Sequence, residues 1–425
     1  MKILFITQKV DKDDDVLGIY HRWIEELAKR IKKISVICLY RGRVELPENV
    51  QVYSLGKEKL TDPNNPNSPN NPNSSDYSGT LGLFGSVFKT ASKRIKYIFN
   101  FYRYIWKLRN EYDMVFVHMN PEYVILGGLF WKFLGKKIIF WYAHYLANFK
   151  LRLAARLADK IVTSTRLAYP LSSRKLTVLQ QGIDTERFKP LGISPPSGDL
   201  PKGENQSPFG GSPEGREPGI GRQASGIRYF KVLFLGRIAP VKDLETLLRA
   251  VALARQSGAD IGLTIVGEPT LGKPAEKEYY VKIKNSATEL NLQNIVEFQP
   301  AVPNYQTPII YNEHDLFVNL TWIGSFDKSA LEAMACGLPV IVSNEAFKEI
   351  FPHDLDRQLI FKAGDFVDLA GKINNLLNLN PEQREVIGKK MRSLIIEKHN
   401  LTNLVDKIVQ MLNATWKMRH VECDM

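Results

Sequence analysis

Arg237, Lys242 and Glu332 are the side chains of this 425-residue chain whose types and settings could do chemistry together. The first two lie in Lys231-Val-Leu-Phe-Leu-Gly-Arg-Ile-Ala-Pro-Val-Lys-Asp243, an apolar run that ends at Gly236 in a turn carrying both cations. A guanidinium offers a bidentate fork and an ammonium a point charge, so both can reach a diphosphate. Glu332 lies in Thr321-Trp-Ile-Gly-Ser-Phe-Asp-Lys-Ser-Ala-Leu-Glu-Ala-Met-Ala-Cys-Gly-Leu-Pro-Val-Ile-Val-Ser343, which reads as a loop with Gly324 and Ser325, a short helix and a buried strand. Gly337 and Pro339 mark the change from helix to strand, and Val340-Ile341-Val342 suits a parallel strand covered on both faces. A helix start directs N–H groups and a positive dipole end at what precedes it, where phosphate fits. Glu332, one turn further, could accept hydrogen bonds from hydroxyls.

These stretches need elements to hold them. In the first half, Lys2–Thr7, Ile34–Tyr40, Val50–Leu55, Met114–His118, Ile138–Tyr142, Ile161–Thr165 and Leu176–Gln180 read as strands. A helix over Ile19–Ile31 puts Trp23, Leu27 and Ile31 on one face, and helical segments separate most of the other strands. The second half repeats the alternation with strands at Val232–Leu235, Gly262–Val266, Ile295–Phe298 and Leu316–Asn319, and helices at Leu244–Gln256 and near Tyr279–Leu290. The expected class is α/β, with two Rossmann-like parallel-sheet domains facing a cleft and ligands at the carboxyl ends of the strands. The domains are expected at 1–190 and 229–400, joined by an extended flexible linker at 191–228. A last long helix runs from about Pro381 to Trp416. Residues 61–79, rich in Asn, Pro and Ser, cannot repay ordering entropy and are expected to be disordered.

The net charge of +12 is uneven. Through Pro190 there are 31 Lys+Arg and 17 Asp+Glu, or +14; the remainder has 26 and 28, or −2. A basic first half points to an anionic membrane, nucleic acid or a phosphorylated substrate. Cys38, Cys336 and Cys423 form no metal-ligand or redox spacing and suit a reducing compartment. The apolar start at Met1–Thr7 is too short for a signal peptide, and no stretch reaches the roughly 18 apolar residues of a membrane span. The expected location is cytoplasmic.

The paired Gly236 and Glu332 segments resemble the donor half of the GT4-type retaining glycosyltransferases, which have the GT-B fold; the resemblance covers roughly 1–60, 111–190 and 229–415. It implies transfer of a sugar from a UDP-, GDP- or ADP-sugar, with configuration retained and with no cofactor or metal required. Gly236, Arg237 and Lys242 would then meet the donor's diphosphate, and the backbone amides of Lys328, Ser329 and Ala330 would cap it. Glu332 matches the second glutamate of the family's E-x7-E pattern, which holds the donor ribose. The first glutamate's place is taken by Gly324, so Asp327, three residues on, is expected to fill it at the donor sugar. In Phe140-Trp-Tyr-Ala-His144, the resemblance favours His144 in the cleft near the anomeric carbon, although alone it also suits a structural histidine. His118, at another strand end, could touch acceptor. The family's N-terminal glycine pair is reduced to Gly18, preceded by Asp13, Asp14 and Asp15, so acceptor handling is expected to be atypical. Gln181-Gly-Ile-Asp-Thr-Glu-Arg-Phe188 is architectural in the family, and the helix at 401–425 is expected to return to the first domain. Asp113 and Asp159, beside strand starts, read as structural.

Gly267-Glu-Pro-Thr-Leu-Gly-Lys-Pro274 nearly spells a P-loop, but Pro274 replaces the magnesium-binding hydroxyl. Residues 81–110 hold seven Lys or Arg, no acid and an interleaved set of aromatic rings. They suit a basic aromatic helix, either packed on the first domain or lying on an anionic membrane surface. No nucleic-acid-binding module accompanies it. The function these residues point to is a glycosyltransferase with a lipid-linked or glycan acceptor. The alternatives are a catalytically weakened nucleotide-sugar-binding protein, which Gly324 favours, and a nucleotide-sugar epimerase.

Overall fold

Val, Ile, Leu and Phe dominate the strand segments with few polar interruptions, a pattern that leaves no face for water and asks for helices on both sides of a parallel sheet. The computed structural model describes residues 1–58, 82–192 and 229–423 (side chains at 82–93 and 418–423 excepted), and the chain forms two compact units. The first comprises Met1–Leu179 with Leu404–Met425, the second Gln180–Asn403. The expected disorder at 61–79 lies outside the described residues, as does the expected linker at 191–228 beyond its first two positions.

In the first unit the elements are β1 (Lys2–Val10), α1 (Gly18–Ala28), β2 (Lys33–Arg41), β3 (Val50–Ser54), α2 (Gly82–Lys107), β4 (Met114–His118), α3 (Pro121–Phe133), β5 (Lys137–Trp141), α4 (Phe149–Leu157), β6 (Lys160–Thr163) and β7 (Leu176–Val178). The strands make one sheet in the order β3-β2-β1-β4-β5-β6-β7, all neighbours parallel. Helix α1 turns Trp23, Ile24 and Leu27 inward. Helix α2 does the same with Phe101 and Ile105, four residues apart on one face, and Leu108 just beyond its end is buried with them.

The second unit runs β8 (Phe230–Leu235), α5 (Leu244–Gln256), β9 (Ile261–Val266), α6 (Pro274–Glu289), β10 (Val296–Gln299), α7 (Thr307–Asn312), β11 (Leu316–Asn319), α8 (Lys328–Ala335), β12 (Val340–Val342), α9 (His353–Leu359), α10 (Phe366–Leu377) and α11 (Pro381–Lys398). Its sheet order is β10-β9-β8-β11-β12, again parallel throughout. The sequence order therefore reverses between β1 and β4 in one sheet and between β8 and β11 in the other. In open parallel sheets that reversal opens a crevice at the carboxyl ends of the strands.

Aspartates fix how neighbouring strands begin. Asp113, before β4, accepts the Lys2 N–H at 2.7 Å, and Asp159, before β6, accepts that of Ile138 at 2.8 Å. Asp315, before β11, accepts that of Lys231 at 2.9 Å. Asp113 and Asp159 are structural by these bonds.

The single long helix expected from Pro381 is two helices, α11 and α12 (Leu401–Cys423). The break frees backbone groups for another segment: Ile183 N–H donates to the His399 carbonyl at 2.7 Å, and Leu401 N–H donates to the Ile183 carbonyl at 2.8 Å. Asn400 completes the junction, donating to Thr185 Oγ1 at 2.7 Å and capping the Thr402 N–H at 2.7 Å. Arg392 adds bonds to the Phe188 carbonyl at 2.8 Å and the Thr185 carbonyl at 3.2 Å. These contacts are why residues 180–192 pack with the second unit.

Candidate functional site

The turn after β8 lies against the turn after β9. Gly236 has φ 152° and Gly267 φ 147°, and a Cβ on Gly267 would stand 2.0 Å from the Gly236 carbonyl oxygen. Only glycine fits there, and its bare backbone brings the Gly236 turn to the reversal point of the sheet. Arg237 follows with its Nε 3.9 Å from Glu276 Oε1. Burial acts to raise the Glu276 pKa, but hydrogen bonds from Thr270, the Lys273 ammonium and the Arg237 charge outweigh it and hold the group at about 2. Arg237 is thereby oriented by a carboxylate that stays ionised.

Lys242 closes a 3-10 turn, Pro240–Lys242, and its ammonium is paired with Asp327. The same carboxyl oxygen accepts Asn319 Nδ2 at 3.0 Å and Thr321 Oγ1 at 3.1 Å, while Ser329 Oγ donates to the other at 3.0 Å. Burial opposes ionisation of Asp327, yet the Lys242 charge and these donors push its pKa well below the usual carboxylate range. Asp327 is a clamp that sets Lys242 against the loop after β11. Asp327, expected at the donor sugar in the place that Gly324 vacates, holds Lys242, Asn319, Thr321 and Ser329 through its two oxygens. Asp327 also occupies the N-cap position of α8 without capping it through its side chain, since that side chain is turned to Lys242. The first turn, Lys328, Ser329 and Ala330, thus starts at the reversal point with its dipole end toward the clamp. Gly324 has φ 93°, a left-handed conformation that a glutamate would adopt only under strain.

Glu332 is one turn inside α8 and 3 % exposed. Asn304 Nδ2 donates to one of its oxygens at 2.9 Å and the Tyr311 hydroxyl to the other at 3.2 Å. Burial, stronger than these bonds, raises its pKa to about 7. A carboxyl group held this way takes hydroxyl partners as an ion or as an acid near neutrality.

In the first unit, His144 lies beyond β5, half-buried, with its ring stacked on Tyr145 at 4.7 Å. Its Nδ1 accepts the Leu146 N–H at 3.2 Å, so the neutral ring carries its proton on Nε2. Burial lowers its pKa, which favours that neutral form. His118 is a core residue at 1 % exposure, beside Thr7 Oγ1 at 3.3 Å and with the Tyr20 ring 4.0 Å away. The expectation that it touches acceptor gives way to this packing. Gly18, buried, is the first residue of α1, and Asp14 accepts the Val16 N–H at 2.9 Å just ahead of it.

Arg237, Lys242, Asp327, Ser329 and Glu332 thus gather around the β8–β11 reversal. Sequence reasoning missed the residues that hold them: Glu276, Asn304, Tyr311, Asn319 and Thr321. Asn319 carried a usable signal, a polar side chain ending a fully buried strand. Asn304 and Tyr311 carried none, because nothing periodic links them to Glu332. Among the described residues no group of three or more His, Cys, Asp or Glu is arranged to hold a metal ion.

Residues 222–394 match the family model described as Glycosyl transferases group 1. The D-inositol 3-phosphate glycosyltransferase of Thermomonospora curvata is 29 % identical over 238 residues, which are 55 % of this chain and 50 % of that protein. Spore coat protein SA of Bacillus subtilis is 29 % identical over 163 residues, 38 % of this chain and 42 % of that one. The chain spans about half the length, or less, of these curated relatives. Among solved structures, sucrose-phosphate synthase from Thermosynechococcus elongatus aligns with a TM-score of 0.70 at 18 % identity, over 98 % of this chain and 100 % of that one. HepE from Anabaena in complex with UDP aligns with a TM-score of 0.67 at 17 % identity, over 97 % and 100 %. At these identities the likeness is one of fold, the two parallel-sheet α/β domains of GT-B proteins.

Proposed function

We propose that this chain, a member of the glycosyl transferases group 1 family with the GT-B fold, moves a sugar from a nucleotide-sugar to a hydroxyl of a lipid-linked or glycan acceptor. One observation carries the reading: the Gly236 turn, the Lys242–Asp327 clamp, the start of α8 and Glu332 all gather at the β8–β11 reversal of a single sheet. Arg237 and Lys242 balance the negative charge that grows on the leaving diphosphate. The first turn of α8 supplies dipole and N–H groups to the same phosphates, and Glu332 takes the ribose hydroxyls. The bond from anomeric carbon to phosphate oxygen breaks as the acceptor oxygen bonds to that carbon. The acceptor proton passes to the departing diphosphate. Attack on the leaving-group side retains configuration, and His144, with its proton on Nε2, is the first unit's candidate hydrogen-bond donor to substrate.

The proposal includes a peripheral seat on the cytoplasmic face of a membrane. What supports it is the basic, aromatic α2; among the described residues no helix is long and apolar enough to cross a membrane. A second reading, a nucleotide-sugar binder with weakened turnover, is favoured by Gly324, where the family carboxylate is replaced by a left-handed glycine.

The test is a thermal-shift screen against UDP-, GDP- and ADP-sugars with the wild-type protein and Arg237→Ala. UDP-sugars come first because HepE is complexed with UDP. A rise in melting temperature with one donor class, reduced in the variant, supports the donor site. No rise at millimolar concentration rejects it. Release of nucleoside diphosphate from the stabilising donor then separates the enzyme from the weakened binder.

A further inference from the structure

Helices α2 and α3 present one continuous apolar surface to solvent. On α2, Ile95, Phe99, Tyr102 and Trp106 recur at helical spacing and are 66 %, 66 %, 42 % and 59 % exposed. On α3, Leu129 and Phe133 are 72 % and 88 % exposed. The Tyr102 hydroxyl donates to the Leu126 carbonyl at 2.9 Å, and the Trp106 ring lies 5.9 Å from that of Phe130, so the two stripes join. Arg94, Lys96, Arg103 and Lys107 are exposed on the same helix, and Arg109 lies over the Trp106 ring at 4.6 Å. Large exposed apolar side chains among cations that make no ion pair among the described residues fit an anionic bilayer surface better than water.

Between these helices a slot of about 370 Å³ opens at the carboxyl ends of β1 and β2. Leu39, Leu55, Ile98, Phe101, Tyr123 and Leu126 wall it. Its polar floor is Gln8 and Asn120, with Asn120 Nδ2 donating to Gln8 Oε1 at 2.9 Å at the β1–β4 reversal. Of the two charged lining residues, Glu122 is engaged with Lys150 at 2.8 Å, whereas Arg94 makes no ion pair among the described residues. The slot occupies in the first sheet the place that the Gly236 site occupies in the second, but its walls are hydrocarbon.

We propose that this slot takes the hydrocarbon chain of a phosphate-bearing lipid drawn from an anionic bilayer on which α2 and α3 lie, with Arg94 meeting the phosphate. This rests on the reading of the chain as an enzyme with a lipid-linked acceptor and names the part of that acceptor the first unit holds. Against walls that are mostly hydrocarbon, a sugar or nucleotide would leave most of its hydroxyls unpaired. An alkyl or isoprenoid chain loses nothing there, and the flanking cations draw its headgroup to the mouth.

The full-length protein is mixed with vesicles of phosphatidylcholine and phosphatidylglycerol in which some of the phosphatidylglycerol carries a diazirine at the chain end. After photolysis, adducts are mapped by peptide mass spectrometry. Adducts on Ile98, Tyr123 or Leu126 are expected. Adducts confined to Phe99, Trp106, Leu129 and Phe133 would mean surface contact alone and overturn the slot, as would no adducts. Ile98→Gln, at a position 39 % exposed and so tolerant of change, places an amide in the slot wall. It should lower slot adducts about ten-fold while vesicle co-sedimentation changes little. Equal lowering of both would overturn the assignment. Equal capture on pure phosphatidylcholine vesicles would overturn the role of the cations. The nucleotide-sugar thermal shift, run on the same protein, keeps the two readings apart: a donor shift without lipid capture rejects only the slot, and lipid capture without a donor shift rejects only the enzyme.

Discussion

Replacing Glu332 with glutamine removes a carboxyl group that burial has lifted from 4.5 to about 7. Below about pH 4.5 the group is neutral in both the folded and the unfolded chain, and it costs nothing. Between about pH 4.5 and 7 the unfolded chain ionises first, so the folded state loses ground as pH rises. Above the folded value the full penalty is present, about 3 kcal/mol for a shift of this size. Glutamine has no such dependence. It has one oxygen for Asn304 Nδ2 or the Tyr311 hydroxyl and turns an N–H₂ to the other donor, a mismatch worth about 1 kcal/mol at every pH. Glu332→Gln should therefore be slightly less stable than wild type at pH 5 and more stable at pH 8 by about 2 kcal/mol, or roughly 4–8 °C for a unit of this size. Calorimetric scans from pH 5 to 8, following the transition that nucleotide-sugar shifts, would show the two curves crossing. Parallel curves would refute the buried, proton-holding carboxyl group and with it the reasoning about its affinity. If Glu332 takes ribose hydroxyls, wild-type affinity for the nucleotide-sugar should also rise from pH 6 to 8 while that of the variant stays flat.

Asp327→Asn leaves Lys242, whose side chain is 15 % exposed, without its counter-charge, and should destabilise the second unit by roughly 3 kcal/mol. Because the folded pKa of Asp327 lies below its ordinary 3.8, the stability it confers is present above about pH 4 and fades as pH falls further; acid titration of wild type and variant by circular dichroism should show that limb only in the wild type. Gly324→Glu restores the family's carboxylate at a φ of 93° and should cost about 1–2 kcal/mol without raising donor turnover. A gain in turnover at unchanged melting temperature would refute the claim that backbone conformation fixes this position. In Gly267→Ala the new methyl would meet the Gly236 carbonyl at 2.0 Å, so the turn must shift and nucleotide-sugar affinity should fall at least about ten-fold by titration calorimetry.

The strands were legible because each is a short apolar run bounded by polar or glycine residues. Met114–His118 and Leu316–Asn319 fall where that pattern puts them. The Gly236 turn and the Glu332 helix were legible as elements because each joins an apolar strand to glycine and charge, whereas the anion site expected there came from pairing the two segments through the family resemblance. What stayed hidden depends on contacts distant in sequence. The break at His399 and Asn400 has no proline or glycine to announce it and arises from the backbone of Ile183. Asp327 looked available because its partners Lys242 and Asn319 lie on other segments. The basic stripe of α2 was visible in the sequence, whereas its union with α3 depends on how two helices pack.

The first unit is made of two stretches of chain, with the whole of the second interposed. Arg30 of the first stretch meets its partner Asp406 at 2.5 Å only across that interposed length, and Leu404, Val405, Ile408 and Leu412 are buried in the returning stretch. Vectorial synthesis on a ribosome delivers these pieces far apart in time. The second unit, continuous in sequence, can mature while the first still lacks its closing strip, and a nascent chain halted near residue 403 would carry a finished second unit and a first unit with an open apolar seam. Chaperones that read exposed hydrophobic surface would meet this protein through its first-made half, long after that half had been translated.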